Sequence, residues 1–195
     1  EQVFTETRRS LFMPVNRSVP DVAQKRKDWN GLISGFKASD LVFLDESGCN
    51  TDMTRRYAYS LGGSRAVDSA PLSKPKNTTI LSSIQLDGTL RYTTVERFKR
   101  YLETDLLPHL NGNSVLIMDN MKSHHARAVK NLLDSSGVRY IYLPPYSPDL
   151  NPIKKLWSKV KAFLRKFKAR TLDALPNTIQ NAFHSVTVSD CSDSR

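Results

Sequence analysis

The chain predicts an α/β fold, a mixed sheet flanked by helices in a three-layer arrangement. Three observations carry this. Strand-like segments joined by turn signals, one pair of them a hairpin, dominate the part before residue 96. From residue 97 onward helical and strand patterns alternate. In that later part SVLIM is an unbroken apolar run, as in a sheet covered on both faces.

Taken in order, residues 1–18 are polar and basic, with Pro14 and Pro20 breaking any long pattern, and read as a linker or arm. SVPDVAQKRKDWNGLISGF (18–36) predicts a short helix, with Ser18 or Asp21 near its start and Gly35 near its end. LVFLDESG (41–48) predicts a buried strand ending in a turn, and RRYAYSLGG (55–63) a second strand closed by Gly-Gly. TTILSSIQLDGTLRYTTV (78–95) is a hairpin that turns at Asp87-Gly88. RFKRYLETDLLPHL (97–110) is helical, and SVLIMDN (114–120) is a fully buried strand. SHHARAVKNLLDSSG (123–137) predicts a helix capped by Ser123 and ended by Gly137. VRYIYLPP (138–145) follows as another buried strand. PIKKLWSKVKAFLRKF (152–167) is a helix with Pro152 in its first turn. TLDALPNTIQNAFHSV (171–186) is a last helix, interrupted or started late by Pro176. The division expected is an arm with a short helix over 1–38 and one domain over 39–190.

With 195 residues, 39% of them hydrophobic, the chain can bury one sizeable core. LVFL and SVLIM, the longest apolar runs, are far too short to span a membrane, and no signal peptide is visible. Cys49 and Cys191 match no zinc spacing and read as free thiols in a reducing, cytoplasmic compartment. A net charge of +10 points to a polyanionic partner, nucleic acid before membrane. Its distribution sharpens this: residues 154–170 hold eight Lys/Arg and no acid.

Asp45 and Asp119 each end a buried strand. If those strands lie parallel and adjacent, both carboxylates emerge at the same carboxyl edge, where open α/β sheets place ligands. Two aspartates converging there stay ionised together only with a cation between them. A hard, oxygen-ligated ion such as Mg²⁺ suits them. Either aspartate alone is as well explained by the turn that follows it, Asp45-Glu46-Ser47-Gly48 or Asp119-Asn120.

A third element changes that balance. Thirty-four residues separate Asp119 from Lys154, and they read helix, strand and YSPDLNP. The segments LVFLDESG, SVLIMDNMKSHHA and YIYLPPYSPDLNPIKKLWSKVK resemble the signature blocks of DDE transposases in the mariner-like superfamily, particularly its bacterial insertion-sequence branch. That family has an Asp on the first strand, an Asp in a DN pair and a Glu after 34 intervening residues, inside SPDLNPIE. The resemblance spans roughly residues 20–190. It implies a ribonuclease H-like fold with Asp45 and Asp119 as metal ligands and two bound Mg²⁺ or Mn²⁺ ions. It implies cutting and joining of double-stranded DNA, with transposon ends joined at target TA steps by a homodimer. It also implies an end-reading region upstream of residue 1.

The departure is NPIK in place of NPIE. A protonated lysine has three donors and no lone pair, so Lys154 cannot ligate Mg²⁺. Neither neighbour substitutes: Asp149 lies in the preceding turn, and Glu46 points to the opposite face from Asp45. Ile153, Leu156, Trp157, Val160, Leu164 and Phe167 form the apolar stripe of their helix. Lys154, Ser158, Lys161 and Arg165 share a flank, and Lys154, Lys161 and Arg165 are candidate contacts to DNA phosphates. Three readings follow. The first is a transposase catalytic domain impaired by Lys154. A catalytically inactive DNA-binding module is the second. In the third, Lys154 itself replaces one cation at the scissile phosphate.

Lesser candidates are His124 or His125 as a substrate contact, Asn120 as a partner for Asp119, and Arg55 and Arg56 near DNA. Asn151 and Ser147 are expected to cap the turn before the helix at 152. Trp157 and Trp29 read as packing residues.

Overall fold

In the computed structural model the described residues are 20–55, 60, 62, 64–69, 71, 74–94 and 98–187. The strand expected over 55–63, the arm at 1–18 and Cys191 lie mostly or wholly outside them.

Five strands form one sheet: β1 (Leu41–Asn50), β2 (Asn77–Gln85), β3 (Leu90–Thr93), β4 (Val115–Met118) and β5 (Arg139–Tyr142), in the order β3-β2-β1-β4-β5. The first three pair antiparallel, while β4 runs parallel to both β1 and β5. The hairpin turns at Asp87-Gly88 as expected. Gly88 takes φ 93°, and the Asp87 carboxylate accepts the Thr89 N–H at 2.7 Å.

Alternation along β1 splits the core in two. Leu41, Phe43 and Cys49 face a layer built from α4 (Ile153–Phe167) and α5 (Ala174–His184), together with Val115 and Ile117 of β4. Val42 and Leu44 face the other layer, which contains α2 (Phe98–Tyr101) and α3 (Arg127–Ser136), together with Leu116 and Met118. The three-layer expectation is met. The first helix, α1 (Pro20–Ser34), buries Val22 and Trp29, and Trp29 joins the α4/α5 side of the core.

Several local expectations are corrected. β1 does not turn at Asp45. Antiparallel pairing with β2 continues from Asp45↔Ser82 to Asn50↔Asn77, although the parallel partner β4 stops at Met118. Asp45 is therefore mid-strand. β5 is an edge strand and only half-buried, because no strand among the described residues pairs with its outer side. The helix expected over 97–110 changes character: α-helical to Tyr101, π-helical over Leu102–Leu106, then a short 3-10 turn over Leu107–His109. Pro108 supplies the reason, since it has no N–H for the carbonyl four residues back. Ser123 caps nothing. Residues Lys122–His125 form a separate 3-10 turn, and Ala126 stands at the N-terminus of α3. Phe167 leaves the apolar stripe of α4, 54% exposed and stacked on Phe163 at 4.2 Å.

Gly137 ends α3 in the left-handed conformation, φ 70° and ψ 0°, and an added Cβ there would touch nothing within 4 Å. The cost of a side chain is thus purely conformational. Gly137→Ala is expected to destabilise the fold by about 1–2 kcal/mol, read as a lowered thermal midpoint. An unchanged midpoint would contradict that account.

Candidate active site

Register places the two aspartates together. Leu44 of β1 pairs with Met118 of β4, so the residues that follow, Asp45 and Asp119, stand side by side where β4 ends. Each sits one residue past an even-numbered core position, which turns Asp45 toward the α4 layer and Glu46 toward the α2/α3 layer.

Helix α4 meets Asp45. Its amphipathic pattern buries Ile153, Leu156, Trp157, Val160 and Leu164 against the sheet. Lys154 and Trp157, three residues apart, consequently lie on adjoining parts of the inner surface. The Lys154 ammonium donates to Asp45 Oδ2 at 2.6 Å, and the Trp157 indole N–H donates to the same oxygen at 2.8 Å. Asp45 is 1% exposed, whereas Lys154 keeps 40% of its side chain in solvent. Burial pushes the Asp45 carboxyl above the usual range; Lys154 and Trp157 pull against that, while Asp119 adds to it.

Asp119 is held from the other side. His124, fully buried in the 3-10 turn after β4, donates Nδ1–H to the Asp119 backbone carbonyl at 3.1 Å, forms an ion pair with Asp119 Oδ1 at 2.9 Å and donates Nε2–H to Glu46 Oε1 at 3.4 Å. Its ring stacks on Phe98 at 4.3 Å, and its carbonyl accepts the Tyr142 hydroxyl at 3.0 Å. Burial opposes charge on His124, yet the bonds from Asp119 and Glu46 outweigh it and raise the imidazole to about 9. Burial likewise opposes charge on Asp119. His124, the Met121 N–H and Lys154 together hold that carboxyl below its usual range. Glu46 does point away from Asp45, as expected, but toward His124. The site is therefore five ionisable groups in a chain: Lys154, Asp45, Asp119, His124 and Glu46.

That chain decides what the site can hold. With Lys154 in place, Asp45 Oδ2 carries two donors, Asp119 Oδ1 faces the Met121 N–H and the His124 ring, and an ammonium stands where a third ligand would be needed. Among the described residues no three His, Cys, Asp or Glu side chains converge as a metal site. The residues present do not fit a pair of Mg²⁺ or Mn²⁺ ions.

The remaining candidates separate. Asp149, weighed as a substitute ligand, is engaged by both arms of the Arg26 guanidinium, at 2.7 and 3.2 Å. Arg26 also donates to the Ser147 hydroxyl, which in turn donates to the Pro145 carbonyl. Ser147 thus ties α1 to the loop and does not cap α4. Asn151 caps nothing either; the helix has no side-chain cap, and the Asn151 carboxamide finds no partner among the described residues. Asn120 accepts from His125 Nε2 and does not touch Asp119 through its side chain. Lys161 is half-exposed and near Cys49, and Arg165 and Arg55 are exposed; Arg56 lies outside the described residues. Burial pushes the Cys49 thiol up to about 11, which makes it an inert packing group. The indole of Trp157 and the His124 bridge were missed as site groups. Alternation and helical spacing could have found the first, but nothing local signals the second.

Asp119, Asn120, Leu143, Pro144, Pro145, Tyr146, Asn151 and Lys154 are among the residues lining a cavity of about 410 Å³ beside the pair.

A five-stranded sheet in the order β3-β2-β1-β4-β5, with paired aspartates side by side where β4 ends, defines the class: a ribonuclease H-like fold. Residues 40–176 match the family described as DDE superfamily endonuclease, and the chain belongs to it. It is 28% identical over 97 residues to the Transposable element Tc1 transposase of Caenorhabditis elegans, covering 48% of this chain and 36% of that protein. The Mos1 transposase paired-end complex with left transposon end superposes with a TM-score of 0.71 at 19% identity, over 100% of this chain and 62% of that one. The Mos1 mariner paired end complex with Mn gives 0.68 at 16%, over 100% and 62%. At such identities the structural likeness establishes the fold. The chain spans about a third to three-fifths of the length of these relatives.

Proposed function

We propose that this chain is the catalytic domain of a DDE transposase. It binds double-stranded transposon ends, and its cleavage and strand-transfer chemistry is impaired by Lys154. The observation that carries this is the 2.6 Å contact between the Lys154 ammonium and Asp45. It sets a fixed positive charge where the family pattern has its third carboxylate. Support for the DNA partner comes from the family, from the paired-end complex among the similar folds and from the acid-free basic run over 154–170.

A divalent ion, where three carboxylates hold it, would supply charge stabilisation for a phosphodiester displacement. In this chain, Asp45 is neutralised by Lys154 and oriented by Trp157, while His124 orients Asp119. The partly exposed ammonium and the outer face of α4, with Lys161 and Arg165, contact phosphates without reading sequence. The same proposal carries the finer expectations: a bacterial insertion-sequence relative, a homodimer on paired ends, a TA target, a cytoplasmic or nucleoid setting, and a domain over 39–190. No helix among the described residues is long and apolar enough to cross a membrane.

The test is binding to a transposon-end duplex as a function of salt, beside a nicking assay. Affinity should fall steeply with salt, and Lys161→Ala with Arg165→Ala should each reduce the slope by roughly one. Nicking should be absent and should appear with Lys154→Glu in Mg²⁺ or Mn²⁺. If neither form cuts and both bind, the inactive DNA-binding module replaces the impaired enzyme. Cutting by the lysine form, lost in Lys154→Ala, would establish the lysine-assisted reading instead. Absence of salt-sensitive binding would refute the DNA partner altogether.

A further inference from the structure

The outer edge of the sheet presents a surface that the site above leaves unused. The Leu143 N–H donates to the Met118 carbonyl at 2.8 Å, so the main-chain groups of the odd-numbered residues of β5 point toward β4. Those of Tyr140 and Tyr142 point outward, where no strand among the described residues takes them. Exposed edges are commonly blunted by proline or charge. Here Pro144 and Pro145 lie past Tyr142, and Arg139 comes before Tyr140, so the outward groups themselves stay open.

Two apolar hollows flank that edge. One, of about 580 Å³, is lined by Trp29 and Leu32 of α1 together with Tyr142 and Leu143. The other, of about 530 Å³, is lined by Leu32 and Phe36 together with Tyr140 and Ile141. Leu32 belongs to both and is 47% exposed, an apolar side chain with room on either side of it. Asp28 stands at the first hollow and Arg139 at the second, both exposed. Arg139 and Ile141 alternate onto the α4/α5 side of the sheet, which is also the side of Trp29. The groove thus has an acid at one end, a base at the other and an apolar residue midway.

A groove of this kind fits itself. A two-fold axis perpendicular to the sheet at Ile141 runs two β5 strands antiparallel and reverses one groove against the other. Tyr140 then lies opposite Tyr142 of the partner subunit, and the two exchange both main-chain hydrogen bonds. Ile141 faces its own copy across the axis, and Leu32 fills the hollows against Leu32 of the partner subunit. Arg139 meets Asp28 of the partner subunit at each end. Opposite charges favour this pairing over a parallel one, in which like charges would meet. We propose that β5, Leu32 and the two charged ends form a self-complementary interface through which two copies of this chain join their sheets without DNA. The inference stands apart from the DNA-binding reading, since neither the aspartates nor the basic face of α4 takes part.

The test is sedimentation of the whole chain without DNA across the micromolar range, in which monomer and dimer should interconvert. Tyr140→Pro removes an outward N–H and no bond to β4, whereas Tyr140→Ala removes the same ring and keeps the donor. Leu32→Asp sets two like charges together near the axis. The proline and aspartate variants should weaken dimerisation by roughly tenfold or more, since symmetry counts each loss twice. Tyr140→Ala should dimerise more tightly than Tyr140→Pro. Arg139→Glu and Asp28→Lys should each weaken the dimer, and the two together should restore it. Leu32, Asp28 and Arg139 are exposed, so exchanging them should leave the thermal midpoint of the monomer unchanged, and these variants decide the matter even where the proline variant does not fold. A chain that stays monomeric throughout overturns the interface and leaves the groove to an extended peptide of another protein. A dimer indifferent to Leu32→Asp, or charge variants that do not restore one another, overturns this surface as its site.

Discussion

Lys154→Glu should make the folded domain dependent on a divalent cation. Asp45 is buried, and among the described residues its only charged donor is the Lys154 ammonium, with the Trp157 indole beside it. Exchange for glutamate removes that charge and adds a third carboxylate next to Asp45 and Asp119. Removing one partner of a fully buried pair costs on the order of 3–5 kcal/mol, because an uncompensated charge is left behind; with Lys154 40% exposed, solvent screens part of that cost here. The variant should therefore melt well below the parent in a chelator and recover on addition of millimolar Mg²⁺ or Mn²⁺, since an ion bound only by the native state stabilises it. The parent should melt at the same temperature with and without the ion. A parent stabilised by Mg²⁺ would show that the ammonium does not fill the cation's place. A variant indifferent to chelation would show that position 154 does not meet the aspartates as described.

The second large effect is on alkaline stability. His124 keeps its proton in the folded chain up to about pH 9, whereas an unfolded histidine releases it near pH 6.5. A folded value raised above the unfolded one means that stabilisation is complete below about pH 6.5 and is lost as pH rises through about 9. The loss is on the order of 3 kcal/mol. Asp119, held below its ordinary range, acts at the other end: its contribution is present above the unfolded carboxylate value and is lost as pH falls through the folded one. Denaturant midpoints at pH 6 and pH 9.5 should differ clearly for the parent. They should differ little for His124→Asn, which should be the weaker protein at pH 6. Equal parent midpoints at the two values would mean that the Asp119–His124–Glu46 bridge is not formed in solution.

Much of this architecture was legible in local signals. The unbroken run SVLIM could only be a strand covered on both faces, and the helical stripe ending at Leu164 could only face a core. Asp87-Gly88 announced its hairpin through turn chemistry. The aspartates could be placed side by side because parallel neighbours in register carry matching positions to the same height, although only β4 ends there. What local signals could not supply was information carried by distant partners. β1 continues past Asp45 only because β2 is there to pair with it. Asn151 looks like a cap because asparagine usually is one, and its lack of a partner emerges only from packing. The bridge from Glu46 to His124 joins residues 78 positions apart, and a pair of adjacent histidines gives no hint of which one turns inward. Lys154 was recognisable as a departure, but its docking on Asp45 required knowing that α4 crosses β1 at that height.

The Arg26 fork on Asp149 has a mechanical consequence. It fastens α1 to the loop YSPDLNP, which runs directly into Lys154 and the start of α4. That loop forms one rim of the cavity and leads into the lysine. Movement of α1 is therefore shared between this fork, which leads to the aspartates, and the Trp29 contact with the core, and severing Arg26 would leave only the second.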